Sequence, residues 1–275
     1  MIPGSGPAMT CAAARRIWGL MYRHLALYRH SWPRLLELAY WPVLQMCIWG
    51  FTASFLASRI GSTAAVAGAT LLGGVLLWEV ALRSQMGVAI SFMEEMWSRN
   101  LGHLFVSPMR PWELVAALIM MSVIRMLGGV LPAIGVAWLL YAFNLFALGP
   151  VVVLFFMNLM IMGWAVALGV VSLILRHGAG AEALAWSVLF GLTPFSAVFY
   201  PIAVLPRALQ PVAFALPSAH VFEGMRGVLL DGVVRWDHLI AAFALNAVWL
   251  AGAALLFARQ FRQARLRGAL LSIGE

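Results

Sequence analysis

Residues 91–113, SFMEEMWSRNLGHLFVSPMRPWE, are the longest polar segment between two strongly apolar stretches of this chain. The segment carries Glu94, Glu95, Arg99 and Arg110, and it closes on two prolines. On each side the chain has runs of about 20 or more apolar residues, the length a helix needs to cross a bilayer. The segment is therefore predicted to meet water or another protein between two membrane spans.

The composition identifies the broad class of protein. Of 275 residues, 63% are hydrophobic and only 10% are charged, and the mean hydropathy is +0.92. A soluble domain carries about 25% charged residues. The net charge of +8 comes from 18 arginines without any lysine, and these cluster at the edges of apolar runs. That pattern is typical of contact with membrane lipids and not with nucleic acid, so we expect an all-α integral membrane protein.

The N-terminal part, residues 1–34, is predicted to be a disordered start followed by an amphipathic helix from 11 to 34. Trp18, Tyr22 and Tyr28 alternate there with arginines. Aromatic side chains among lipid head groups, with arginines facing anionic lipid, suit a helix that lies on the inner membrane surface.

Six spans are predicted in one transmembrane domain over residues 35–258. They are expected at about 38–58, 64–90, 114–141, 151–175, 183–204 and 239–258. Asn144 and the Gly149–Pro150 pair divide a charge-free run that is too long for one helix. A basic cytoplasmic tail, 259–275, follows the last span.

The segment 208–222 decides the predicted topology. Its 15 residues contain Pro211 and Pro217, so it is too short and too broken to cross. With six spans, both termini lie inside and most arginines lie inside with them, as the positive-inside rule requires. Residues 205–238 then form an outer re-entrant helical hairpin, buried against protein because broken backbone is not tolerated in lipid. The arginines left outside are Arg59, Arg207, Arg226 and Arg235.

Two charges well away from the ends of the predicted spans are singled out, Glu79 in the second and Arg125 in the third. A lone charge there costs roughly 2.5–3.5 kcal/mol, so each is expected to face protein or water. With a helical rise of 1.5 Å per residue, the two side chains are expected at similar depths in the membrane. They either pair with each other or line a translocation path, or Arg125 extends toward the membrane surface.

No catalytic residue and no metal site is predicted. The chain has no G-x-x-x-x-G-K-[ST] motif and no lysine to complete one, and it has neither H-E-x-x-H nor G-x-S-x-G. His220 and Glu223 stand three residues apart, but two ligands do not make a metal site, and a structural polar pair is favoured. The chain is therefore predicted to carry no ATP-hydrolysing site of its own.

Several short motifs resemble the membrane subunits of type-2 ABC exporters in order and spacing. Glu94-Glu95, Arg99-Asn100-Leu101-Gly102 and Val106-Ser107-Pro108 are similar to the inner loop of that family. The family's signature before its last span is similar to Phe199-Tyr200-Pro201-Ile202, Leu205-Pro206, Leu216-Pro217 and Phe222-Glu223-Gly224-Met225-Arg226. The resemblance covers nearly the whole chain.

This resemblance implies a multi-pass permease of a bacterial inner membrane. Two permease copies, identical or paralogous, would pair with two ATP-binding subunits, which bind ATP and Mg²⁺, so no cofactor is expected in this chain. The inner loop would be a coupling helix seated in the ATPase, and the substrate would be an amphipathic lipid-like molecule, a drug or a glycan. The residues expected to bind the ATPase are Glu94, Glu95, Met96, Trp97, Arg99, Leu101 and Phe105. Those expected to shape the outer hairpin are Tyr200, Pro201, Pro206, Pro217, Glu223 and Arg226.

Two other functions remain open from the sequence. An energy-independent carrier would more often show internal repeats, and none is evident. A membrane enzyme or assembly factor for envelope precursors would need acid, base or nucleophile side chains at one depth, and only Glu79 and Arg125 offer a start.

Overall fold

The computed structural model describes residues 7–29, 31–60, 62–101 and 109–266, and this part of the chain is helical, without strands. The helices are α1 (Pro7–Arg29), α2 (Trp32–Ile60), α3 (Ser62–Trp97), α4 (Pro111–Tyr141), α5 (Val151–His177), α6 (Ala183–Leu192), α7 (Gln210–Phe214), α8 (Pro217–Asp231) and α9 (Trp236–Leu266). Short 3-10 turns lie at Leu145–Leu148, Gly178–Ala181, Thr193–Phe195 and Ile202–Val204. The predicted all-α class is therefore what this part of the chain shows.

Four of the described helices are long and apolar enough to cross a membrane, namely α3 from Val66 onward, α4, α5 and α9. They lie where the second, third, fourth and sixth spans were predicted. The predicted first span falls within α2, which has 29 residues but is not one of these four.

The centre of the bundle is α3, which packs against α2, α4 and α5. Small residues allow these close contacts. A Cβ at Gly163 of α5 would lie 2.7 Å from the carbonyl oxygen of Ala81, and one at Gly87 would lie 2.6 Å from the Cβ of Ser122 on α4. Close backbone approach maximises van der Waals contact, which holds helices together in lipid.

A buried amide pair joins α5 to α9 inside the bundle. The Nδ2 of Asn246 donates to the Oδ1 of Asn158 and to its backbone carbonyl oxygen, each at 2.9 Å. Amide hydrogen bonds of this kind are a common way to fix two apolar helices against each other.

The predicted boundary between the second span and the polar loop differs from the structure. The helix α3 does not end near residue 90 but continues through Trp97, so the loop is 98–110, of which 102–108 lie outside the described residues. Phe92, Met93 and Met96 are buried against the core, which favours continued helix over an exposed loop. Arg99, with φ 54, then ends the helix in the left-handed region.

The predicted fifth span, 183–204, is not a continuous helix. The helix α6 has ten residues and gives way to the turn Thr193–Phe195. Pro194 explains the break because it lacks an N–H and restricts the residue before it. Ten residues reach about 15 Å, half the bilayer core.

The predicted outer hairpin contains two helices, α7 and α8. Pro217 lies in the first turn of α8, where a missing N–H costs nothing.

The predicted N-terminal helix is also present, but it ends at Arg29, and it includes residues 7–10, which were expected to be disordered. Residues 1–6 and 267–275 lie outside the described residues.

The two ends of the bundle are distinct. At one end, here called the α1 end, α1 meets the end of α3 and the start of α4, and Trp97 reaches Glu182 just before α6. A groove between the start of α4 and the last turns of α9 lies at this end too. At the far end, Gly73 of α3 packs near Phe143 and Met225. The loop 98–110 therefore leaves the bundle at the α1 end.

Candidate functional site

Glu95 lies at the α1 end, in the last turn of α3, and its side chain is 1% exposed. Its Oε2 accepts a hydrogen bond from Arg23 Nη1 at 2.8 Å and another from Asn100 Nδ2 at 2.6 Å. Its Oε1 lies 3.2 Å from His24 Nε2, at ion-pair distance but without hydrogen-bond geometry. A buried carboxylate needs such donors, since burying a charge unpaired is costly.

Glu94, the neighbouring acid, points to a second set of cations. Its Oε2 accepts a hydrogen bond from Arg125 Nη2 at 2.7 Å and lies 3.2 Å from His24 Nδ1. Arg34 Nη1 is 3.8 Å from the other carboxylate oxygen, and the guanidinium of Arg125 lies 5.0 Å from the Tyr28 ring centroid. This set joins α1, α2, α3 and α4 through one carboxylate.

His24, buried on α1, stands between the two acids. Burial opposes protonation of its ring, but the hydrogen bonds and negative charges of Glu94 and Glu95 outweigh that effect and raise its pKa. The imidazolium form is thus favoured, with Nδ1 at hydrogen-bond distance from Glu94 and Nε2 at ion-pair distance from Glu95.

A second ion pair fastens α1 to the other side of the loop. Arg16 Nε and Nη2 donate to the two carboxylate oxygens of Glu113 at 2.8 and 2.6 Å. Glu113 is fully buried and also accepts the backbone N–H of Arg110 at 3.0 Å, which caps α4. A bidentate arginine–carboxylate ion pair of this kind is strong and directional. The helix α1 therefore contacts both flanks of the loop 98–110.

The structure gives the two predicted intramembrane charges separate partners. Glu79 accepts a hydrogen bond from Arg83 Nε at 3.1 Å, one turn along α3, and Arg125 pairs with Glu94. The alternative that Glu79 and Arg125 pair with each other is therefore not what the structure shows. Arg83 was not singled out from the sequence, although its i,i+4 spacing from Glu79 is the signal for such a pair.

Sequence reasoning also did not single out His24, Arg23 or Arg34 as partners of the acidic pair. They lie some 60 to 72 residues from Glu94 and Glu95 in the chain. No local periodicity joins residues that far apart, so only the fold brings them together.

The residues predicted to bind an ATPase divide into two groups. Glu94 and Glu95 face the cations described above, and Met96 and Leu101 are each 2% exposed. Trp97 is 56% exposed, with its Nε1 donating to Glu182 Oε1 at 2.9 Å, and Arg99 is exposed. Phe105 lies outside the described residues. The accessible members of the set are thus Trp97 and Arg99.

The predicted hairpin residues form a polar cluster at the far end. Glu223 Oε1 accepts the backbone N–H of Ile202 at 2.8 Å and a hydrogen bond from Arg226 Nη2 at 3.1 Å. Arg226 also donates to the carbonyl oxygen of Ala197 at 2.9 Å. These contacts hold the chain after α6 against α8.

The remaining hairpin residues shape its turns. The hydroxyl of Tyr200 donates to the carbonyl oxygen of Pro194 at 2.7 Å. Pro201 precedes the turn Ile202–Val204, the carbonyl oxygen of Pro206 accepts the N–H of Leu209 at 2.8 Å, and Pro217 begins α8. These residues thus set the backbone conformation of the hairpin.

His220 and Glu223 do not pair as predicted. His220 Nδ1 lies 3.2 Å from His238 Nδ1, and its Nε2 lies 2.9 Å from the carbonyl oxygen of Phe214. Within the described part of the chain, no three His, Cys, Asp or Glu side chains are grouped to hold a metal ion. The histidine pair thus joins α8 to α9.

Long apolar helices with charges buried at one end define a membrane-spanning protein. The family model described as ABC-2 type transporter matches residues 15–230. The chain belongs to this family, which confirms the resemblance drawn from its motifs. It is a membrane component of an ABC transporter, a transport subunit and not itself an ATPase. No curated protein sequence matches the chain.

Proposed function

We propose that this chain is the membrane-spanning subunit of an ATP-driven exporter, moved by a separate ATP-binding subunit that docks on residues 97–110. The single observation that carries the proposal is the set of buried ion pairs at the α1 end. They join α1 to the helices on both sides of that loop, at Glu94, Glu95 and Glu113.

These ion pairs make the α1 end a single mechanical unit. Breaking an ion pair whose carboxylate is buried leaves that charge without its partner, which is unfavourable, so α1, the end of α3 and the start of α4 resist moving independently. Displacement of the loop would then shift all three helices together. Coupling of this kind needs packed elements in a discrete arrangement, and the ion pairs supply it.

Trp97, the last residue of α3, and Arg99 in the loop are the proposed contacts to the ATP-binding subunit among the described residues. Both are exposed, and Trp and Arg are the residue types that dominate interface energetics. Phe105 is proposed to join them. Glu94, Glu95, Met96 and Leu101 support this surface from inside the chain.

The exporter is proposed to have six spans, both termini inside and two permease copies, in a bacterial inner membrane. The four long apolar helices support the second, third, fourth and sixth spans. We assign the first span to α2 and the fifth to α6 with the turns that follow it. The placement of α1, the loop 98–110 and the end of α9 at one end of the bundle supports a common inner side. The substrate is proposed to be amphipathic.

The test is co-purification with the ATP-binding subunit after Trp97→Ala and Arg99→Glu. Loss of one interface anchor costs about 2 kcal/mol, or roughly 30-fold in affinity, so we expect the double variant to lose the subunit and ATP-dependent export. Trp138→Ala with Arg235→Glu is the matched control, because both residues are exposed away from the α1 end. Retention of the ATPase and of transport by the loop variant would contradict the proposal.

A further inference from the structure

A cavity of about 290 Å³ opens beside the ion pairs of the α1 end. Its wall is built from the start of α2, the second half of α3, Arg125 of α4 and Trp186 of α6. Five charged side chains line it, namely Arg34, Glu37, Arg83, Glu94 and Arg125. It shares Glu94, Trp97 and Arg125 with the proposed coupling surface, whereas Arg34, Glu37 and Trp186 have no part in that mechanism.

The charges of this cavity are not balanced. Glu94 already accepts from Arg125 and faces His24, and Arg83 already donates to Glu79. Arg34 Nη1 reaches Glu94 only at 3.8 Å, and among the described residues no atom accepts a hydrogen bond from it. The same holds for the Nε of Arg125, a side chain that is 4% exposed. The wall thus presents two buried guanidinium nitrogen atoms without acceptors, although the Arg34 side chain as a whole is 42% exposed.

The rest of the wall is apolar and aromatic. It includes the apolar Leu38 and Ile90 and three aromatic side chains, those of Tyr28, Trp97 and Trp186. Aromatic side chains next to arginines are typical of the membrane–water boundary. Such a lining suits a molecule that is charged at one end and apolar at the other.

We propose that the cavity binds the phosphate-bearing head group of an amphipathic substrate, with Arg34 and Arg125 donating to phosphate oxygens. The inference rests on the proposed export function, since it names the substrate class of that path. Guanidinium groups suit phosphate because they present planar, permanently charged donors. A volume near the lower end of the roughly 300–1,000 Å³ range of small-molecule sites holds a head group and leaves the hydrocarbon chain toward the bilayer.

The test is equilibrium binding of radiolabelled dodecyl phosphate to the purified full chain in a neutral maltoside detergent. Arg34→Gln removes a donor and is expected to weaken binding roughly tenfold or more. Glu37→Gln, three residues away on the same helix, removes a repelling charge and is expected to tighten binding severalfold. The opposite signs matter, because a folding defect would weaken binding in both variants.

Three comparisons complete the experiment. Arg262→Gln, in the groove beside α9, should leave the affinity unchanged. Inorganic phosphate and dodecyltrimethylammonium should each compete far more weakly than unlabelled dodecyl phosphate, which separates a head group from a free anion and from any amphiphile. Equal competition by either probe, or equal effects of the three variants, would overturn the proposal.

The outcome does not depend on the coupling mechanism. Binding to the purified chain needs neither ATP nor the ATP-binding subunit. If the subunit fails to co-purify while dodecyl phosphate binds as expected, the export proposal fails and the cavity assignment stands. If binding fails while coupling holds, only the substrate class is wrong.

Discussion

His24 contacts two acids that end α3 and thereby ties α1 to the bundle. Because its pKa is raised in the folded protein, its stabilising effect is complete below its unfolded pKa, about 6.5. That effect is lost as pH rises through the folded value. The charge state of one buried residue thus sets a pH dependence for the α1 end.

We therefore expect thermal stability in detergent to fall as pH is raised from about 6 to about 9, and His24→Gln to flatten this slope. His177→Gln, at the exposed end of α5, is the control and should keep the wild-type slope. A variant at His24 that still loses stability with the same slope would show that other groups carry the effect.

A second prediction at this scale concerns which charges pair. Glu94→Gln with Arg125→Gln should show a coupling energy above about 1 kcal/mol in a double-mutant cycle, because the two groups are in direct contact. Glu79→Gln with Arg125→Gln should be additive within about 0.5 kcal/mol, because Glu79 has Arg83 as its partner. Unfolding titrations in mixed micelles give both values, and the reverse order would refute the pairing seen here.

At the scale of helices, α1 is held to the bundle by charged contacts as well as by its buried Leu20 and Met21. Arg16 and Arg23 reach acids on two other helices, while Trp18 and Tyr22 remain exposed. These ion pairs fix helix α1 against the two helices that flank the loop 98–110.

Arg16→Ala should loosen α1, because it leaves Glu113 buried without its bidentate partner. The buried carboxylate loses its charged hydrogen-bond donors, so the melting temperature should drop and chymotrypsin should cut α1 faster. Arg15→Ala is the matched control, because Arg15 precedes Arg16 in the chain and its side chain is exposed. Identical cleavage rates for the two variants would mean that the Arg16–Glu113 pair does not hold the helix.

At the scale of the whole molecule, the arrangement of helix ends predicts a topology. A reporter active only in the periplasm should be active when fused near Asn144 or Asp231, and inactive near Arg99 or after Arg267. The first two positions lie at the far end of the bundle, and Arg99 lies at the α1 end. Activity after Arg267 would mean that the six-span arrangement is wrong.

The sequence by itself determined the membrane class, four candidate spans and the family. Each of these depends on local information: hydropathy over about 20 residues sets a span, and short motifs in fixed order carry the family. The break after α6 was readable as well, from Pro194, but the apolar run around it suggested a continuous span.

Only the tertiary structure decided how the charges are used. Glu94 and Glu95 looked like surface acids because they lie in a polar stretch, yet α3 continues as helix to Trp97 and turns both toward cations from α1, α2 and α4. A charge can be stabilised by any partner that folding brings within about 4 Å. Sequence spacing does not encode that partner when it lies tens of residues away.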